Sequence, residues 1–164
     1  MLKELLSNKK SVIIDKWIRS IVDSYPLETS KFLRQQKNRF SNPVGYSITG
    51  SAENLFDGLL EVFDAENIKD AISDLIKIRA VQEFSPSQAI GFIFYLKKII
   101  REVLGAEISR ENILEELMEI ESRIDRISLI AFDMYMEARE KIFQIRMKEF
   151  KARMLFNEIN GAVE

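Results

Sequence analysis

Apolar residues recur every three to four positions along almost the whole chain, the spacing that places them on one side of an α-helix. Val12, Trp17, Ile18, Ile21 and Val22 form the first such set, and Tyr25-Pro26 ends it. A short helix is predicted over Glu28 to Gln36. The stretch from Asn38 to Gly45 interrupts the pattern, because the residue before Pro43 avoids the α region. A helix from Gly45 or Tyr46 to Asp64 then turns Ile48, Leu55, Phe56, Leu59, Leu60 and Phe63 inward. Asn67 is the expected N-cap of a helix running from Ile68 to about Glu83. Ser85-Pro86-Ser87-Gln88 is a stronger start signal: a capping serine, proline at the first helical position, and glutamine three residues on. That helix, Pro86 to Leu104, is the most apolar, and Gly105 is its expected C-terminal cap.

Ser109 can cap a last helix, and no breaker follows before Gly161. Such a helix is about 70 Å long at 1.5 Å per residue, more than a domain of this size is wide, so part of it must bend or leave the globule. Ile113, Leu117, Ile120, Ile124, Ile127, Ala131, Met134 and Ala138 alternate steps of four and three, as a coiled-coil seam does. Glu119 with Arg123, Glu137 with Lys141 and Glu149 with Arg153 are suitable i,i+4 pairs for the exposed side. Beyond residue 140 the register passes to Ile142, Phe143, Ile145, Met147, Phe150 and Met154, and Lys141 and Lys148 fall on the earlier seam. The fold class is all-α, with five to six helices around one core and a long C-terminal helix. Residues 1–140 are expected to form the helical domain and 141–164 an extension of its last helix.

Composition narrows the chemistry. The 164 residues include neither cysteine nor histidine. Disulfides, thiolate zinc sites, iron–sulfur clusters and cysteine nucleophiles are thereby excluded, and a reducing cytoplasm is compatible with the lack of cysteine. Without histidine, the commonest general base, metal ligand and globin haem ligand are all missing. No cofactor, metal or enzyme activity is expected. No apolar run approaches the ~20 residues of a membrane span, and no signal peptide is visible at Met1-Leu2-Lys3-Glu4. The net charge of −2 is unevenly spread: residues 1–44 carry nine basic and four acidic side chains, and residues 45–136 nine and seventeen. With no helix-turn-helix or aromatic platform, that asymmetry reads as solvated faces attracting acidic neighbours, and nucleic acid is not an expected partner.

Glu111, Glu115, Glu116, Glu119 and Glu121 crowd the start of the last helix, where the helix dipole favours acidic residues without any cation. Serines have no histidine to activate them, no Ser-x-x-Lys occurs, and the glycines form no phosphate loop. Two polar junctions stand out: Arg39-Phe40-Ser41-Asn42-Pro43-Val44-Gly45-Tyr46, and Ile78-Arg79-Ala80-Val81-Gln82-Glu83-Phe84-Ser85-Pro86-Ser87-Gln88-Ala89. Each combines an arginine, a proline and cap residues, which suits a fixed corner between helices.

These same junctions resemble the RsbRD N-terminal domain family, named for the RsbT co-antagonists of bacterial stressosomes. The likeness runs from about residue 10 to 140, and Arg39, Asn42, Pro43, Gly45, Arg79, Phe84, Ser85 and Pro86 carry it. The resemblance implies a bacterial, cytoplasmic sensory or scaffold domain of the kind that precedes output modules. It also implies a globin-like fold without haem that pairs through its final helix. This chain ends near residue 164 with no output domain, a departure that favours a stand-alone adaptor. The expected function is non-enzymatic signalling through protein contacts, as a homodimer with an unidentified protein partner and no membrane insertion. Ile124, Ile127, Ala131 and Met134 are the expected dimer seam, and Phe143, Met147, Phe150 and Met154 the partner or output surface. The alternative is a sensor for a lipid or other apolar ligand, bound between the Gly45–Asp64 and Pro86–Leu104 helices.

Overall fold

The computed structural model describes residues 1–35, 38–82, 84–110 and 112–161, with the backbone alone at 160 and 161. Gln36 and Glu83, expected at two helix ends, and Glu111 of the acidic cluster lie outside these residues. Among the described residues the fold is all-α. It comprises α1 (Leu2–Asn8), α2 (Lys10–Asp23), α3 (Leu27–Gln35), α4 (Pro43–Leu60), α5 (Ala65–Val81), α6 (Pro86–Leu104), α7 (Glu107–Arg110) and α8 (Leu114–Gly161). Six of these match the predicted helices. The short α1 and α7 are additional: Leu2 and Leu6 bury α1 against the core, and Ser109 lies inside α7 instead of capping the last helix.

Two starts differ from the predicted ones, each for a capping reason. Asn42 accepts from the Gly45 backbone N–H at 2.8 Å, so α4 begins at Pro43, its fixed φ already suited to a first turn. Asp64 accepts from the Glu66 N–H and displaces Asn67 as the cap of α5. At α6 the capping box forms in full. The Ser85 hydroxyl accepts from the Gln88 N–H and the Gln88 side chain from the Ser85 N–H. Gly105 ends that helix at φ 50°, in the left-handed region that favours glycine.

The amphipathic faces close on a single core. α2 packs on α4 and α6, α4 packs on α5, and the first half of α8 lies across α5 and α6. Trp17 is fully buried, and its indole N–H donates to the Phe92 carbonyl at 2.7 Å, tying α2 to α6. Phe56, Leu59, Ile93 and Ile100 are completely enclosed, each aliphatic or aromatic side chain contributing roughly 1.5–3 kcal/mol by burial. Around this core, basic groups of the N-terminal third meet the acidic middle of the chain. The N-terminal ammonium pairs with Glu116, Lys9 with Glu107, and Lys10 with Asp57. Glu121 pairs with Arg101, and Glu119 with Arg123. The expected Glu137–Lys141 and Glu149–Arg153 pairs do not close.

Candidate functional site

α8 is 48 residues long and has two apolar faces. The first is the seam predicted from sequence. Ile124, Ile127 and Ala131 are buried, and Met134 is half-buried in a groove of about 520 Å³ beside Ile76 of α5. The seam is therefore the chain's own core face, packed on α5 and α6, and a partner cannot reach Ile124, Ile127 or Ala131. This corrects the expected dimer seam. A helix lying on its own globule and one zipped to a second copy need the same three-and-four spacing, so the pattern alone did not separate them.

The second face is exposed. Leu129 is 67% exposed, Phe132 40%, Met136 46%, Phe143 63%, Phe150 58% and Met154 49%, with Met147 among them. At about 100° per residue these seven fall within a sector roughly 60° wide, turned away from the core face. Their mean step is about 3.6 residues, counting Arg139 as the one polar member, so the stripe runs nearly straight along the helix. Phe143, Met147, Phe150 and Met154, predicted as a partner surface, are thus the outer part of a stripe that starts on the globule. From Phe143 to Ile159 every α8 residue is exposed, so the stripe continues where the helix leaves the core.

The stripe has unlike edges. Arg139, Arg146 and Arg153 recur every seven residues along one, and Asp133, Glu140 and Glu158 along the other, with Lys151 as the exception. Arg139 also donates to the Ala80 carbonyl at 2.9 Å, and the Tyr135 hydroxyl donates to the Phe84 carbonyl. Both bonds fasten α8 to the α5–α6 corner just before it departs.

That corner is built by the second sequence junction. Arg79 is fully buried, and its guanidinium donates to the Gln88 carbonyl at 2.8 Å and the Ser24 hydroxyl at 2.9 Å. The rings of Tyr25, Phe84 and Phe92 lie 5.3, 4.8 and 5.0 Å from it. One side chain thereby joins the end of α2, the end of α5 and the start of α6. Burial lowers the Arg79 pKa and raises that of Tyr25; the nearness of each to the other opposes both shifts, and burial prevails. The Tyr25 hydroxyl and Arg79 Nε have no hydrogen-bond partner. The first junction is a corner too. The Asn42 amide donates to the Leu33 carbonyl, Arg39 lies over the Tyr46 ring, and a side chain at Gly45 would stand 2.2 Å from Asn42 Nδ2. Arg39, Asn42, Pro43 and Gly45 thus lie at one corner and Arg79, Phe84, Ser85 and Pro86 at another, with Asn42 and Arg79 as the side chains that bond across helices.

No group of acidic side chains among the described residues is arranged to hold a metal ion. No helix among them is long and apolar enough to cross a membrane. Two recesses among the described residues lie elsewhere than between α4 and α6, where an apolar ligand was expected. One is the α5–α8 groove, and another opens beside Arg79.

The chain is thus a helical domain without cysteine or histidine, and its last helix runs past the core with an apolar stripe exposed. The profile of the RsbT co-antagonist protein RsbRD N-terminal domain matches residues 11–149, and the chain belongs to that family of stressosome-type signalling domains. The chain is also 24% identical over 147 residues to an uncharacterised protein of Archaeoglobus fulgidus, covering 85% of this chain and 83% of that one. That relative is archaeal, whereas the resemblance implied a bacterial source. No solved structure matches the chain.

Proposed function

We propose that the protein is a non-enzymatic signalling domain that works as a parallel homodimer, joined along the exposed apolar stripe of α8. The observation that carries this is the stripe from Leu129 to Met154, which begins on the globule and continues along the projecting helix with Arg139 as its one polar position. An apolar strip of that length on a lone helix is costly to leave in water, and a second copy of the same strip is complementary to it. The edges support a parallel arrangement. Two parallel helices related by a two-fold axis set the Arg139–Arg146–Arg153 edge of one against the acidic edge of the other, whereas antiparallel helices set like edges together. Residues 141–164 then act as the stalk through which the paired domains pass a change in helix position to a protein partner. The cytoplasm is the compartment this reading favours.

Sedimentation equilibrium of the intact chain tests the pairing. A dimer is expected at micromolar concentration, with Phe132→Glu plus Phe143→Glu yielding a folded monomer of unchanged helix content. A wild-type monomer throughout, or a dimer indifferent to both glutamates, contradicts it.

A further inference from the structure

Arg79 is more than a structural tie, because its charge is unanswered. No carboxylate lies within ion-pair distance of the guanidinium among the described residues. Its partners are the neutral Gln88 and Ala89 carbonyls, the Ile21 carbonyl and the Ser24 hydroxyl. Carbonyl dipoles and aromatic faces ease the burial of a cation, but they leave its full positive charge in a low-dielectric site. Nε makes no hydrogen bond that closes, although the Tyr25 hydroxyl is near enough to act on the guanidinium.

Arg79 also forms part of the wall of a recess of about 150 Å³ between the end of α2 and the first turns of α6. Ser20, Ser24, Ser87 and Gln88 give it a polar side, and Phe92 with Tyr95 an apolar one. Among the described residues the Gln88 amide nitrogen and the Tyr95 hydroxyl have no hydrogen-bond partner, which leaves both as donors at the recess. Gly91 sits in the same wall, and a side chain there would meet no protein atom within 4 Å. We propose that this recess binds a small carboxylate, its negative end toward the Arg79 guanidinium and its short alkyl end against Phe92 and Tyr95. One negative charge balances the one unpaired cation, whereas a phosphate dianion would bring a second charge with nothing to meet it. The apolar rings favour an organic acid over an inorganic ion.

The site is close to α8. Ala80 and Phe84, which both follow Arg79 in sequence, are the residues whose carbonyls accept from Arg139 and Tyr135. A ligand that draws on Arg79 therefore acts on the segment that fastens α8 where it leaves the globule. This deepens the signalling reading by naming the class of molecule sensed, while binding itself is measured independently of dimer formation.

The test is a titration of the intact protein with sodium acetate, followed by amide NMR at constant ionic strength, with sodium phosphate titrated in parallel. Acetate is expected to give saturable shifts at Ser24, Ser87 and Gly91, with half-saturation in the millimolar range, about −4 kcal/mol. Gly91→Leu keeps the helix and occupies the recess, so it should retain the wild-type Tm and weaken acetate binding at least about tenfold. Arg79→Met should abolish binding wherever the variant folds. No saturable shift up to about 50 mM acetate, a response to phosphate alone, or a folded Gly91→Leu that binds as before overturns the site. Sedimentation of the same samples reports separately on the dimer.

Discussion

Tyr25 places a hydroxyl in the core with no partner, edge-on to Phe84 at a ring separation of 5.2 Å. Removing an unsatisfied buried hydroxyl while keeping the ring relieves its desolvation, so Tyr25→Phe should be neutral or stabilise by up to about 1 kcal/mol. The raised phenol pKa adds a pH signature. Above the ordinary value of 10.0 the unfolded chain releases this proton while the folded protein keeps it. The stability Tyr25 contributes is thus complete below about pH 10 and is lost as pH rises toward the higher folded value. Urea unfolding at alkaline pH should fall less steeply with pH in Tyr25→Phe than in the wild type; parallel slopes would contradict this. At the other corner, Asn42→Ala removes both the α4 cap and the Leu33 bond, and should cost about 1–2 kcal/mol. Gly45→Ala should cost a similar amount by displacing the same side chain, and the double variant little more than either single one. Additive losses in denaturant melts would show that Gly45 matters for another reason.

At the level of elements, the sequence revealed most where local chemistry decides. The Ser85–Gln88 capping box, Pro86 at the first position and Gly105 after the last turn of α6 are all as predicted, because each depends on neighbours within four residues. Asn67 gave way to Asp64 because two acceptable caps stood three residues apart, and the Asp64 carboxylate is the one that accepts from a first-turn N–H, that of Glu66. The larger misreading concerned α8. Periodicity located the Ile113–Ala138 face but not its partner, which is the chain's own α5 and α6. Leu129, Phe132 and Met136, absent from the predicted surface, were detectable as a second set in phase with Phe143 and Met154, a signal masked by the stronger core stripe. The two faces should respond oppositely to substitution. Ile127→Ala should cost about 2–5 kcal/mol through the cavity it leaves without a direct effect on pairing. Phe143→Ser should change monomer stability by no more than about 0.5 kcal/mol while weakening the dimer. Thermal melts beside sedimentation distinguish these outcomes, and a dimer weakened equally by both would contradict the division of faces.

At the scale of the whole molecule, a helical core cornered by Asn42 and Arg79 holds one long helix, whose exposed outer face a second copy would cover in the proposed pairing. The all-α fold and the family were both legible from the sequence, the second through two junctions whose residues act structurally. The buried arginine without a counter-charge was not, since nothing in an Arg-Ala-Val run indicates which side of a helix will face solvent. The lack of native cysteine permits a direct test of how the copies meet. Single variants Met154→Cys, on the stripe, and Lys148→Cys, on the far side of α8, are oxidised at micromolar concentration and the linked fraction is measured on a non-reducing gel. A parallel pair brings the two 154 positions within disulfide reach, Cα atoms about 4.4–6.8 Å apart, and keeps the 148 positions beyond it. Ready cross-linking of Met154→Cys with none of Lys148→Cys is the predicted result; no cross-link at 154, or equal cross-linking at both, contradicts it.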